Sequence, residues 1–534
     1  MRKSKWKEYW KTKEYLGGGG LLLLCVVTVF LFWKEFMQDS AAHGTVQIAY
    51  LIVAAIVVVG IMLLYYMVAL RKAKIQHIYL VIAVTLGIVY CVLIPPYAVP
   101  DEPVHFEECY DISNFLLGTG KAETGKIYMR ASDAKPPFDA YPTIETYRDI
   151  CQNTFILCDD NTIVEVKRDS GDSNSLCYII PGIGLTVGRM LHLGTVLTFE
   201  LARWINYIVF MLLIYWSLKK IPIGKNCILI FSMLPMVLQQ AMSVSYDCIT
   251  NGIAVFLIAQ CLYMVFQEGN IRGRDLAIYG VFAAALAGIK GGVYLPVCCL
   301  ALIIPMKKFA SKKRYFLSAG IICAVIFVSF LAANYSILSS VMIKNQDGSS
   351  VSGLEMQEIE NSELSKEVYI TGREEHYSIS DIISNPQHYG KVMLSTFKVY
   401  GDFYLQSMLG GTLGWLDIEI PWWILCGFMA TLLFSVVETN EMVLSFKQKL
   451  WLGIIFCTMV VLILTVMYVS WTPVGCPQVL GVQGRYFLPG LLLLLFVFKN
   501  RMILAKGDIC SVLISAAMCL QVCTWFFALK SILS

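Results

Sequence analysis

Asp101 and Glu102 are adjacent carboxylates in the sequence Val99-Pro100-Asp101-Glu102-Pro103-Val104-His105-Phe106, directly after an apolar run that ends near Pro95. A carboxylate held at such a boundary can take a proton from a hydroxyl, stabilise developing positive charge or ligate a divalent ion. Asp101 is the candidate base. Glu102 could share that role or hold Mg or Mn, with His105 as a second ligand or as the group that steadies the carboxylate. A helix beginning after Pro100 would set Asp101 and His105 one turn apart on one face. The competing reading is structural, because acidic residues are favoured at helix N-termini, where they cap free N–H groups.

The elements around these residues follow from composition. Of 534 residues, 57% are hydrophobic and only 15% charged, and the mean hydropathy is +0.65. Repeated apolar runs of that kind define an all-α polytopic membrane protein. The net charge of +4 is small and sits in short clusters between the runs, which argues against nucleic acid as a partner. Placing those clusters inside predicts about thirteen spans and a cytoplasmic N-terminus, with the basic N-terminal segment kept as an anchor. The expected cores are 20–33, 48–70, 78–95, 199–218, 226–244, 248–266, 276–288, 293–305, 315–338, 420–437, 450–469, 487–498 and 509–528. The apolar stretch 178–193 is interrupted by Pro181, Gly182, Gly184, Gly188, Arg189 and His192, and reads as a re-entrant or interfacial helix on the outer face, the alternative being a true span that makes the count even.

Two long polar segments then lie outside, and the chain divides into 1–96 (anchor and first three spans), 97–198 (first outer loop), 199–338 (central spans), 339–418 (second outer loop) and 419–534 (C-terminal spans). The second loop holds a Ser- and Glu-rich part, 346–366, then a stretch suited to surface helices, 377–400. Most of the 18 cysteines sit in apolar runs as small hydrophobes. Cys109, Cys151, Cys158 and Cys177 share the first outer loop, where either one or two disulfides or free thiols are expected; their spacing is no zinc pattern.

Several motifs occur in order: Pro100 to Phe106, Ala202-Arg203-Trp204-Ile205-Asn206, Leu234-Pro235-Met236, Ser243-Val244-Ser245-Tyr246-Asp247, Lys290 with Tyr294 and Pro296, Leu413-Gly414-Trp415-Leu416-Asp417 with Pro421, and Gln483-Gly484-Arg485-Tyr486-Phe487-Leu488-Pro489. In this set the chain resembles the bacterial membrane family catalogued as domain of unknown function 2142, which is similar to the C-type (GT-C) glycosyltransferases that use lipid-linked sugars. The resemblance implies a GT-C-like fold, and a site at Asp101-Glu102 where an acidic residue of the first outer loop acts as base or metal ligand.

A lipid-phosphate leaving group would develop negative charge, and Lys290 and Arg485 are the candidate cations to meet it. Arg485 follows Gln483-Gly484, so Gln483 joins the expected binding set, and a guanidinium there can grip phosphate oxygens in a fork. Structural alternatives are a snorkelling Lys290 and an Arg485 paired with a loop carboxylate. Asp247 and Asp417 fall at other outer boundaries and are expected to touch sugar or metal, or merely to cap helices. Trp415, Trp422, Trp423 and Trp471 read as interfacial belt residues. The resemblance implies a multi-pass enzyme of the bacterial plasma membrane that moves a sugar from a polyprenyl-phosphate donor to a cell-envelope glycan or similar acceptor. The alternatives are a flippase of lipid-linked glycans and a non-catalytic scaffold of an envelope-polysaccharide complex. No Walker loop, dinucleotide fingerprint, zinc-protease motif or nucleophile elbow occurs.

Overall fold

The computed structural model describes residues 44–123, 125–158, 161–168, 175–335, 376–437, 442–501, 503–504 and 509–533, with scattered positions between 26 and 34. The basic N-terminus, most of the expected span 20–33 and the Ser- and Glu-rich part 346–366 lie outside them.

Two long apolar helices, α1 (Gly44–Tyr65) and α2 (Ile75–Leu93), open the described chain. The first polar segment then folds into α3 (Glu102–Leu117), β1 (Lys126–Arg130), α4 (Ile144–Asn153), β2 (Ile163–Lys167) and α5 (Ile179–Met190). β1 and β2 pair antiparallel, with Tyr128 opposite Glu165. This region has its own small core, in which Phe106, Tyr110, Ile127, Met129, Leu185 and Phe199 meet. The glycines that interrupt 178–193 have a packing role. A Cβ at Gly184 would stand 2.7 Å from the Ala202 Cα, and one at Gly188 would stand 2.9 Å from the Thr198 Cα. Small residues one turn apart let α5 lie directly on the next helix, α6 (Thr195–Lys220).

Beyond α6 come α7 (Lys225–Phe231), α8 (Pro235–Ala241), α9 (Tyr246–Phe266), α10 (Gly273–Ala287) and α11 (Lys312–Ala333). Then follow α12 (Pro386–Leu409), the two-residue strands β3 (Thr412–Leu413) and β4 (Ile418–Glu419), α13 (Trp422–Ser435), α14 (Phe446–Ser470), α15 (Leu488–Phe498) and α16 (Cys510–Leu533).

Seven helices among the described residues are long and apolar enough to cross a membrane: α1, α2, α6, α9, α11, α14 and α16. The other expected spans within those residues are built from shorter pieces. The expected span 226–244 is split into α7 and α8, because Leu234, which precedes Pro235, is held extended at φ −67 and ψ 138. Lys290, Gly291 and Gly292 all have positive φ, and the stretch after them makes one helical turn, Leu295–Cys298, then a 3-10 stretch, Cys299–Ile303. α10, α13 and α15 have 15, 14 and 11 residues, short of the ~20 that a bilayer core requires of one helix. The apolar pattern thus located the membrane-embedded mass, but it does not distinguish one straight span from a broken one.

Candidate active site

Asp101 occupies the N-cap position of α3, yet its side chain makes no capping hydrogen bond, and its backbone sits in the left-handed region at φ 65. The carboxylate turns toward the segment before α15, where the Arg485 Nη2 donates to Asp101 Oδ2 at 2.9 Å. That guanidinium is nearly buried, with 4% exposure, whereas the Asp101 side chain is 56% exposed. On its other side Arg485 Nε lies 3.8 Å from Asp247 Oδ2. The cap of α9 is Ser245, whose side chain accepts from the Asp247 N–H, so Asp247 is released to face Arg485. Partial shielding raises the Asp101 pKa, but Arg485, helped by His105 and Lys290, outweighs it and holds the carboxyl below its ordinary value.

Lys290 stands at φ 50 in a 3-10 turn, its Nζ 3.2 Å above the centroid of the Tyr486 ring and 5.7 Å from that of Tyr246. No ion pair of Lys290 occurs among the described residues. A cation packed only on aromatic faces remains available to an incoming anion. His105 Nδ1 lies 2.8 Å from the Tyr178 hydroxyl, and its ring packs edge-on against Tyr246. Burial holds His105 down to about 4, against the pull of Asp101 and Asp247, so the imidazole is neutral near pH 7. A carboxylate with one face open, a buried arginine, an unpaired lysine and an aromatic wall thus converge from five segments of the chain.

Beneath this cluster lies a second, closed set of polar groups. Arg203 donates to the carbonyls of Ile94 at 2.6 Å and Met242 at 2.8 Å, and to Glu200 at 2.7 Å. Asn206 donates to the carbonyls of Ser243 at 2.8 Å and Ser245 at 3.1 Å. These two side chains, one turn apart on α6, clamp the turn that presents Asp247. The Val244 N–H of the same turn donates to Glu102 Oε1 at 3.1 Å. Glu102 is wholly buried, and burial pushes its carboxyl up to about 7, with Arg203 and the Val244 N–H pulling the other way. Expected as a second base or ion ligand, Glu102 instead faces inward and ties α3 to the Asp247 turn.

A family model of predicted membrane proteins, DUF2142, matches residues 84–495. The chain belongs to the DUF2142 family. No curated protein and no solved structure matches it.

The matched region of this DUF2142 protein contains every residue of the cluster, and also the residues that position it. Gly484 belongs to these. A Cβ there would stand 1.9 Å from the Tyr404 carbonyl oxygen, so only glycine lets Arg485 approach from beneath α12. Gln483, expected to bind substrate, has a buried Oε1 with no hydrogen-bond partner. Asp417 is not brought into the cluster. Its carboxylate accepts from backbone N–H groups of its own β3–β4 turn, including Trp415 and Ile418, and partial burial raises its pKa against them. Trp415 is no belt residue: its indole N–H donates to the Tyr97 carbonyl at 2.7 Å, pinning that turn over the loop before α3. Gln239 holds the same turn from α8, accepting from the Gly414 N–H at 2.9 Å and donating to its carbonyl at 3.2 Å.

Glu102 and His105 do not assemble a metal centre, since no group of three or more His, Cys, Asp or Glu occurs in ligand geometry among the described residues. Cys109, Cys151 and Cys177 carry free thiols, so no two of the four outer-loop cysteines are bridged. Tyr178, Tyr246 and Tyr486, which wall the cluster, and the Glu200–Arg203 pair were not among the expected site residues. That pair was detectable as two opposite charges three residues apart inside an apolar run.

Proposed function

We propose that this protein is an integral membrane glycosyltransferase that moves a sugar from a polyprenyl-phosphate donor to a cell-envelope glycan or similar acceptor outside the bacterial plasma membrane, with its N-terminus cytoplasmic. The observation that supports this reading best is the half-open Asp101 carboxylate beside the unpaired Lys290, with Arg485 buried between Asp101 and Asp247. In the proposed reaction the acceptor oxygen attacks the anomeric carbon, and its proton passes to the free oxygen of Asp101. The bond from that carbon to the phosphate oxygen breaks with both electrons going to the phosphate, which Lys290 and Arg485 neutralise. The likeness to C-type glycosyltransferases implies inversion, and Asp101 as the one half-open carboxylate, with Asp247 turned to Arg485, allows it. The donor set supports this without a divalent ion, since two cations already face the leaving group.

The flippase reading draws support from one finding: broken helices at α7–α8 and 290–303 are a form that transporters use around a substrate path. One assay separates the two. Purified protein in liposomes is given a panel of labelled polyprenyl-phosphate sugars, with wild type and Asp101→Asn compared after insertion has been checked. Transfer by wild type that is lost in Asp101→Asn supports the enzyme. Movement of labelled lipid across the bilayer without transfer, equal in both proteins, would replace it with the flippase.

A further inference from the structure

An apolar cavity of about 480 Å³ lies between α11 and α14, floored by the broken stretch after Lys290. Its lining includes Leu295 from that stretch, Ala319, Ile322 and Phe330 from α11, and Ile455 and Leu462 from α14, and no charged side chain lines it. The broken stretch creates the space: one helical turn followed by 3-10 turns occupies less width than a full span would. α11 has no buried residue, so one wall of the cavity is a helix whose outer side is left to the bilayer. An unfilled apolar space bounded by such a helix inside a bilayer is open to hydrocarbon from the side, and hydrocarbon is the only solvent available at that depth.

The outer end of this cavity meets the polar cluster. A Cβ on Gly292 would stand 2.4 Å from the Phe330 ring and 3.1 Å from Leu295, both of which line the cavity. Gly292 is two residues from Lys290, the cation that no carboxylate pairs among the described residues. From Phe330 the lining runs down α11 to Tyr315, about 22 Å of helix, which is most of the ~30 Å hydrocarbon core. A single long hydrocarbon chain with an anionic head matches both the apolar length and the cationic end.

We propose that the groove between α11 and α14 holds the prenyl chain of the lipid-phosphate donor, entering sideways past α11, with its phosphate drawn to Lys290. This inference rests on the donor named above and assigns it a path. The test uses a polyprenyl phosphate bearing a photoreactive diazirine in its chain, with the full-length protein in liposomes and labelled peptides mapped by mass spectrometry. Wild type should be labelled on α11 and α14 at the groove lining. Ala319→Trp, which fills the groove, should reduce labelling about tenfold, the effect of losing about 1.4 kcal/mol of binding. Leu317→Trp, on an exposed part of α11 outside the lining, should leave labelling unchanged. Lys290→Gln should weaken labelling by the phosphate but not by the matching polyprenol. Labelling unaffected by Ala319→Trp, equally reduced by Leu317→Trp, or equally displaced by excess phosphatidylglycerol would overturn the assignment. If the groove is labelled but no sugar is transferred, the enzyme reading falls and the groove stands. If sugar is transferred while Ala319→Trp changes neither labelling nor turnover, the groove falls and the enzyme stands.

Discussion

Two arginine–carboxylate pairs lie close together at the ends of the membrane helices, and they differ in how completely they are closed. Arg203 and Glu200 are 2.7 Å apart with exposures of 0% and 15%, and backbone carbonyls accept from the guanidinium Nε and Nη2. Arg485 and Asp101 are 2.9 Å apart with exposures of 4% and 56%, and one carboxylate oxygen has no partner among the described residues. The first pair fixes backbone: it joins the end of α2, the start of α6 and the turn before α9. The second is built on that fixed backbone and leaves a charged atom facing outward. The comparison teaches that a buried, saturated pair holds structure, whereas a half-open pair resting on it is where chemistry is available.

Arg203→Ala should have the largest effect. It strands Glu200 and the Ile94 and Met242 carbonyls, and loss of one partner of a buried pair costs about 3–5 kcal/mol. A thermal melt in detergent should show a large drop or no folded protein; a melt within a few degrees of wild type would contradict the structural role. Next in size is the pH dependence of Glu102. Its pKa rises on folding from 4.5 to about 7, so the folded state holds that proton more tightly than the unfolded chain. The stabilisation is fully present below about pH 4.5 and is lost as pH rises through about 7, amounting to roughly 3 kcal/mol across the window. Melts from pH 5 to 8.5 should therefore fall more steeply for wild type than for Glu102→Gln, and parallel curves would show that Glu102 does not titrate there.

Smaller effects sharpen the open pair. Lys290→Gln should raise the KM for a polyprenyl-phosphate donor about tenfold with little change in melting, since a hydrogen bond to a charged group contributes about 1.5–3 kcal/mol. An unchanged KM would leave Lys290 as an interfacial lysine only. Smallest is Asp417→Asn, which keeps one acceptor oxygen for the turn and lies outside the cluster. Turnover should stay within about twofold of wild type, as for a surface change away from the site; a loss as large as that of Asp101→Asn would place Asp417 in the chemistry.

Much of this was legible in the sequence. Hydropathy located the membrane helices, and Asp101, Lys290, Arg485 and Asp247 were identifiable as charged residues at the outer edges of apolar runs. Their convergence was not legible, because 384 positions separate Asp101 from Arg485 and nothing local to either encodes the ion pair. Asp101 and Glu102 looked interchangeable as neighbours. A helix start sends adjacent side chains in different directions, so one faces the cleft and the other the Val244 N–H. The glycines at 184 and 188 read as interruptions because close helix contact is a property of two segments together. The β1–β2 pair was not foreseen, because its strands lie on either side of α4 in a segment read only as a long polar loop.

The most direct test is a paired measurement of sugar transfer per folded molecule and of melting temperature in Asp101→Asn and Glu200→Gln. Asp101→Asn should melt close to wild type and lose turnover by about 10²–10⁴-fold, the usual contribution of a general base. The reverse is expected for Glu200→Gln: a clearly lowered melting temperature, with turnover per folded molecule preserved. If Asp101→Asn retains transfer, or Glu200→Gln abolishes it without affecting melting, the division between a holding pair and a working pair is wrong.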